Sequence, residues 1–301
     1  MAQLSGVVTP LLTPFEDDGS IAEDLWAAHA KWILGQGGHY LSPFGTTGEA
    51  LSIPIETRMR ALEVLVEAGV PASAILPGTG LCALDETAML TAHARDLGCP
   101  GAMTLPPFFY TGASEDGLFA YFSQLVEREG KGGLKLILYH IPSHAGVGVS
   151  PGLAARLNAA FPEVFVGYKD SSGDWSNTQA VLDAAPGLSV FPGSEAFLTQ
   201  GLAAGGAGCI SATCNINVAQ IRKLYDAVQA GKETDALDAR VKETRKIIQD
   251  AELIPAMKAL LADRLNDRRW RNVCLPLMPP ADGLGQRMAE ALGDAVAHIA
   301  A

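Results

Sequence analysis

Val166-Gly167-Tyr168-Lys169-Asp170-Ser171-Ser172-Gly173-Asp174 runs from a β-branched and aromatic stretch straight into a polar turn, with one lysine at the junction. In an α/β chain the carboxyl end of a strand is where side chains project into a ligand site. A lysine held partly desolvated at such a place can lose its proton near neutral pH and attack a carbonyl as a free amine. Taken alone, the same lysine reads more simply as a strand-end side chain whose ammonium reaches solvent. The rest of the chain decides between the two.

Outward from this stretch, short apolar runs alternate with amphipathic ones. Strands are expected at 6–12, 39–44, 74–77, 101–105, 134–139, 164–168, 189–191 and 208–211. Helices are expected between them at 22–34, 55–67, 84–97, 115–129, 151–158, 175–184 and 195–204. Strands that alternate with helices at this spacing make a parallel sheet. Eight βα units, rather than five or six, favour a closed (β/α)8 TIM barrel over an open doubly wound sheet. After about Asn217 the strand patterns stop, and 219–230, 233–248, 253–262 and 285–299 read as helices. Gly231, Pro255 and Pro279-Pro280 punctuate this part. The expected organisation is a barrel catalytic domain over 1–216 and a C-terminal helical domain over 217–301.

The length of 301 residues suits one such barrel with an appendage. The net charge of −11 argues against nucleic acid and anionic membrane surfaces as partners, since both select basic patches. It leaves a small anionic substrate open, because a pocket can be locally positive. The five cysteines, Cys82, Cys99, Cys209, Cys214 and Cys274, are odd in number and form no CxxC pair. That pattern fits reduced thiols better than a disulfide framework or a zinc site. With no signal-like leader and no apolar run of the roughly 20 residues that span a bilayer, a cytoplasmic protein is expected.

Each strand end then offers its own chemistry. Gly45-Thr46-Thr47-Gly48-Glu49 places two hydroxyls between glycines ahead of a helix. It reads equally as an anion-binding turn with outward N–H groups and as a plain βα turn with a capping threonine. Pro106-Pro107-Phe108-Phe109-Tyr110 reads as a hydrophobic lid or a subunit contact. Tyr139-His140-Ile141-Pro142-Ser143-His144 offers a phenol and two imidazoles for proton transfer, with His140 better suited to a structural role. Pro192-Gly193-Ser194-Glu195 and Gly208-Cys209-Ile210-Ser211 supply small residues suited to lining a pocket. HExxH, GxSxG, GxGxxG and a Walker loop are all missing. A metal, a serine-hydrolase triad and a dinucleotide are therefore disfavoured, and no cofactor is expected.

GTTGE after the second strand, Tyr-x-x-Pro at Tyr139 and Lys-Asp-Ser at Lys169 stand in order, with 30 residues from the tyrosine to the lysine. Together they resemble the dihydrodipicolinate synthase / N-acetylneuraminate lyase family over nearly the whole chain. The resemblance implies class I chemistry, in which Lys169 condenses with the ketone of pyruvate or another 2-oxo acid. It implies that Thr46 and Thr47, with Gly48, hold the carboxylate. Tyr139, helped by the Thr46 hydroxyl, shuttles the proton. Gly193, Ser194 and Ile210 match positions lining the pyruvate pocket, and a homotetramer is the implied assembly. A protonated imine is an electron sink, so no metal is needed.

Two positions depart from the pattern of the synthases. His144 stands where they carry an arginine for a second carboxylate, and Phe109 where a neighbouring subunit lends a tyrosine. His140 also replaces the usual small polar residue, and neuraminate lyases usually carry GSTGE. The expected function is a Schiff-base lyase, aldolase or dehydratase, acting on a 2-keto-3-deoxy sugar acid. The alternatives are a 4-hydroxy-tetrahydrodipicolinate synthase condensing pyruvate with aspartate semialdehyde, and a non-catalytic 2-oxo acid-binding barrel. From loop position, His144, Phe108, Phe109, Tyr110 and Asn177 are expected around the distal part of the pocket.

Overall fold

The computed structural model describes residues 4–129, 135–296 and 299. In chain order the elements begin with β1 Gly6–Thr9, α1 Glu23–Gly35, β2 Tyr40–Leu41, α2 Ile55–Glu67, α3 Leu84–Asp96 and β3 Gly101–Thr104. Next come α4 Glu115–Glu129, β4 Lys135–His140, α5 Pro142–Ala145, α6 Pro151–Ala160, β5 Phe165–Asp170 and α7 Trp175–Ala184. β6 Ser189–Pro192, α8 Leu198–Ala203 and β7 Gly208–Ile210 precede α9 Cys214–Gln229, α10 Asp235–Gln249, α11 Leu253–Leu265 and α12 Leu284–Leu292. No helix of the described residues is long and apolar enough to cross a membrane. All five cysteines are free thiols.

The chain forms two compact units, one of Met1–Gly6 with Pro71–Ile210 and one of Val7–Val70 with Ser211–Ala301. In the first, β3, β4, β5 and β6 lie side by side and parallel. β4 is a near-continuous apolar run, as a strand buried on both faces should be, and Leu136 through His140 are all buried. Leu136, Leu138, Tyr168 and Val190 pack against Phe122 and Leu125 of α4 and Leu153 and Leu157 of α6. Phe122 meets Phe165 edge-on at 5.8 Å. A fully buried side chain of that size contributes about 1.5–3 kcal/mol.

The expected strand at 74–77 is not a regular strand. Ala72–Ala74 is a 3-10 turn, and Gly78 alone bridges Met103 in parallel. The Met103 N–H still donates to the Pro77 carbonyl at 2.8 Å, and the Thr79 N–H to the Met103 carbonyl at 2.8 Å. Pro77 has no N–H of its own to extend the ladder. The helix expected at 195–204 divides into a 3-10 turn, Glu195–Phe197, and α8.

In the second unit β1 pairs with β2 in parallel, Val8 opposite Tyr40 and Thr9 opposite Leu41. Its helices bury Ile248, Met257, Leu260, Leu261, Trp270 and Leu292 together. α9 begins at Cys214 but is interrupted at Asn217 (φ −136°, ψ 26°), so regular helix resumes where the sequence pattern places it. Gly231 ends this helix in the left-handed region, at φ 64°. Pro255 does not break α11. It sits in the first turn, where a missing N–H costs nothing. The helix expected at 285–299 is α12 followed by a 3-10 turn, Gly293–Val296. Positions 297 and 298 of that expectation, like Leu134 of the fifth expected strand, lie outside the described residues.

Candidate active site

β4 and β5 carry Tyr139 and Lys169 as register partners, so both side chains leave the same face of the sheet. They are 4% and 3% exposed. The Lys169 Nζ lies over the Tyr139 ring, 4.0 Å from its centroid, a position where the π face attracts a cation. Tyr139 also packs with Ile141, Ala145, Leu105 and Phe108. Lys169 is thus not a side chain reaching solvent. It is a buried amine held against a phenol.

The neighbouring residues face the other way and fix the backbone. Asp170 accepts from the Ser172 N–H (2.9 Å), Asn177 Nδ2 (3.0 Å) and Thr178 Oγ1 (2.6 Å), tying the end of β5 to the first turn of α7. Asn177 is therefore committed to Asp170. The Asp174 side chain caps the same helix by accepting from the Ser176 N–H at 2.9 Å. Across the strands, the Ser171 N–H donates to the His140 carbonyl at 2.8 Å and the Gly193 N–H to the Asp170 carbonyl at 2.6 Å. Gly193 is favoured by close approach, because a Cβ there would lie 2.9 Å from the Asp170 carbonyl. Ser194 caps the 3-10 turn after β6, accepting from the Ala196 N–H at 3.2 Å, and Ile210 is buried at the end of β7.

His140 serves the structure, as its position suggests. Its Nδ1 accepts from the Val149 N–H at 3.0 Å, and its ring stacks on Tyr168, centroids 5.9 Å apart. Burial lowers its pKa from the ordinary histidine value, opposed by the nearby Asp170 carboxylate. The neutral ring is the form that accepts from Val149. Tyr168 donates to the Val149 carbonyl at 2.6 Å, and burial pushes its pKa up. His144 is exposed on α5, its Nδ1 3.0 Å from Ser143 Oγ. Phe109 is 79% exposed and meets the exposed Tyr110 edge-on. Phe108, not Phe109, belongs to the cluster around Tyr139.

The 45–49 turn lies in the second unit. Phe44 and Glu49 flank it in the left-handed region, at φ 59° and 56°. Within it the N–H groups of Gly48 and Glu49 donate to the carbonyls of Gly45 and Thr46, both at 3.1 Å. The turn leads into a single 3-10 turn, Ala50–Ser52, and α2 starts only after Pro54. Among the described residues the N–H groups of Gly48 and Glu49 are thus bonded within the turn, whereas those of Gly45 and Thr47 are not. Thr47 is buried, yet among the described residues neither its N–H nor its hydroxyl has a hydrogen-bond partner. Thr46 is exposed. Gly48 is required by close approach, since a Cβ there would lie 2.8 Å from the Leu11 carbonyl. Its own carbonyl accepts from Thr13 Oγ1 at 2.9 Å.

Glu49 closes the turn with an ion pair to Lys258 of α11, both side chains buried. Its second oxygen accepts from the Cys274 N–H at 2.6 Å. No sequence signal links Glu49 to Lys258, which stand 209 residues apart.

Residues 3–282 match the model of the dihydrodipicolinate synthetase family. An uncharacterized DapA-like lyase of Chloroflexus aurantiacus is 33% identical over 280 residues, 93% of each chain. A 4-hydroxy-tetrahydrodipicolinate synthase of Thermus thermophilus is 31% identical over 292 residues, 96% of each. The crystal structure of dihydrodipicolinate synthase from Agrobacterium tumefaciens matches with a TM-score of 0.89 at 31% identity, covering 98% of this chain and 100% of that one. The fold class is accordingly α/β, a (β/α)8 barrel with a C-terminal helical piece, as the alternation of elements implied.

Proposed function

Because this chain belongs to the dihydrodipicolinate synthetase family, we propose that it is a lysine-imine lyase acting on a 2-oxo acid. Its substrate in this reading is a 2-keto-3-deoxy sugar acid, split by an aldolase or dehydrated by a dehydratase, with pyruvate as product or substrate of the aldolase. The observation that carries the proposal is the buried Lys169 amine set 4.0 Å from the centre of the Tyr139 ring.

The neutral amine adds to the C2 carbonyl, and the carbinolamine loses water to leave a protonated imine. The imine accepts the electron pair released at C3, either when the C3–C4 bond breaks or when a C3 proton departs before hydroxide leaves C4. Tyr139 moves the proton in either case, and water then hydrolyses the imine to restore Lys169. Thr47, with an unpartnered hydroxyl and N–H, is suited to receive the carboxylate, with Thr46 and Gly48 beside it in the same turn. Gly193, Ser194 and Ile210 keep the pocket-lining role, and His144 and Phe109 the distal one. A homotetramer, with the exposed Phe109-Tyr110 loop at a subunit contact, goes with this reading.

Borohydride reduction in the presence of pyruvate is the test. A mass increment at Lys169 is expected, and its absence from folded protein would overturn the imine. A panel of 2-keto-3-deoxy acids, aspartate semialdehyde with pyruvate, and N-acetylneuraminate then separates the activities. The Thermus thermophilus relative favours a second reading, 4-hydroxy-tetrahydrodipicolinate synthase. Condensation with aspartate semialdehyde at enzymic rates, about 1–1000 per second, would establish it over the sugar-acid reading. Trapping without turnover of any panel member would leave a non-catalytic 2-oxo acid-binding barrel.

A further inference from the structure

The second compact unit holds a cavity of about 290 Å3 walled by Leu25, Trp32, Leu261, Leu265, Trp270 and the ring of His29. Its aromatic walls are ordered against one another. The His29 ring lies parallel to Trp32, centroids 5.7 Å apart, and meets Trp270 edge-on at 4.9 Å. Asp267 is the one charged side chain among the described residues that line it, and Arg269 Nε and Nη2 already donate to that carboxylate. No lining cation is therefore offered to an anion. The cavity suits a neutral ligand, unlike the 2-oxo acid of the lysine-imine reading.

His29 gives this cavity a chemical preference. It is 4% exposed, and its Nε2 lies 3.2 Å from Asn215 Oδ1. The surroundings orient the Asn215 amide. Its Nδ2 donates to the Pro10 and Ala212 carbonyls, both at 2.8 Å, and its Oδ1 accepts from the Leu12 N–H at 3.0 Å. Facing an acceptor, the His29 Nε2 has to carry the proton. Burial lowers the His29 pKa to about 4, so near pH 7 the ring is neutral. Its Nδ1 then bears a lone pair, and among the described residues nothing donates to it. An acceptor left without a donor is costly in apolar surroundings. Here it belongs to a ring that lines a cavity.

We propose that this cavity is a binding site for a neutral, fused two-ring aromatic compound that carries one N–H or O–H group, of the indole or naphthol kind, donating to His29 Nδ1. Volume sets the size of the ligand. An apolar cavity of about 150 Å3 accommodates benzene, and the space here is large enough for a second fused ring. Edge-on or offset contact with Trp32 and Trp270 supplies the apolar attraction, and His29 supplies the direction. The site does not depend on the lysine-imine reading.

The test is isothermal titration calorimetry of the full-length protein with indole and, separately, with benzofuran, which has the same outline and an oxygen in place of the N–H. Indole should bind saturably, one molecule per chain. Benzofuran should bind about fivefold more weakly, the worth of one hydrogen bond. Ala28→Phe alters an exposed position of α1 that lines the cavity, so it should fill the space and abolish binding of both compounds. His29→Phe keeps an aromatic ring and removes Nδ1, so it should bring indole down to the affinity of benzofuran. Ala28→Phe and the benzofuran comparison decide the matter if His29→Phe does not fold. Equal affinities for the two compounds in the unsubstituted protein, indole binding that survives Ala28→Phe, or no binding at all would each overturn the proposal. A protein that binds neither compound but loses self-association on Ala28→Phe would assign the cavity to a second copy of the chain, and overturn it as well.

Discussion

Asp170→Asn is the substitution whose cost follows most directly from the geometry. The carboxylate takes three hydrogen bonds, one at Oδ1 from Ser172 and two at Oδ2 from Asn177 and Thr178, and it is 4% exposed. An amide of the same shape keeps only one oxygen. If that oxygen stays toward Ser172, the new NH2 faces the Asn177 NH2, donor against donor, while the Thr178 hydroxyl can rotate to accept. If it flips, the Ser172 N–H faces a donor. One hydrogen bond to a charged acceptor is lost in either case, costing about 1.5–3 kcal/mol. The survivors lose their ionic character, and neutral bonds are about half as strong. The sum is a loss of about 2–4 kcal/mol, against a total of about 5–15 kcal/mol for a folded domain. The variant should fold at 25 °C and unfold at clearly lower urea concentration with the slope unchanged. Asp174→Asn, four residues on, is the control. That side chain is an exposed helix cap, where asparagine serves as well as aspartate, so the midpoint should barely move. A change below about 1 kcal/mol for Asp170→Asn, or equal changes for the two variants, would refute the account of Asp170 as the clamp on β5.

Tyr139→Phe keeps the ring beneath the Lys169 amine and removes the phenol. Trapping with pyruvate should survive while turnover falls about 10²–10⁴-fold, the usual worth of a positioned proton donor, and unchanged turnover would exclude it as the proton carrier. Thr47→Val removes one unpartnered hydroxyl at constant shape. The half-saturating pyruvate concentration in the trapping assay should rise by roughly fivefold to tenfold, corresponding to one hydrogen bond of about 1 kcal/mol or slightly more, with unfolding unaffected. Burial lowers the His29 pKa from 6.5 to about 4, against a hydrogen bond from its Nε2 to Asn215 Oδ1 that favours the charged form. The unfolded chain then binds this proton first, so the stability the neutral ring contributes is complete above pH 6.5 and is lost as pH falls to about 4. His39 and His140, also lowered by burial, act in the same direction. His29→Gln should flatten the stability profile over that interval, as urea midpoints at pH 7 and pH 4.5 would reveal.

What the sequence revealed of the site follows from how its partners are related. Tyr139 and Lys169 each stand one residue before the end of adjacent parallel strands, and the register brings them level; the apolar runs place both near strand ends, but the register that pairs them comes from the sheet. The 45–49 turn announces itself by two glycines around two hydroxyls, but not which threonine is buried. That depends on where the Gly48 backbone is pulled, and Leu11 and Thr13 set it. Phe108 and Phe109 are indistinguishable by type, and only the path of a loop turns one toward Tyr139 and the other outward. The third expected strand failed because a proline contributes apolar character and no N–H. Lys258 was illegible for a different reason. On α11 it reads as an ordinary polar position between Met257 and Ala259, and its partners Glu49, Asn272 and Phe15 come from other segments.

Alternation along β5 separates chemistry from architecture at single-residue spacing. Tyr168 and Asp170 turn to the helix-covered face, where one joins the core of α4 and α6 and the other clamps α7. Lys169 turns to the opposite face and touches Tyr139. A strand backbone bonded on both sides, to β4 and to β6, cannot rotate one of these residues without rotating the others. The amine is therefore aimed by contacts that never meet it, through Asp170 and the Ser171 and Gly193 N–H bonds. Substitutions at 169 and at 170 should consequently fail in opposite ways. Removing the amine abolishes imine formation and leaves the strand in place, whereas removing the carboxylate leaves the amine present but loosely aimed. A substitution at 170 that lowered stability without slowing trapping at Lys169 would mean that β4 and β6 alone hold the lysine. The clamp on α7 would then serve the fold and not the site.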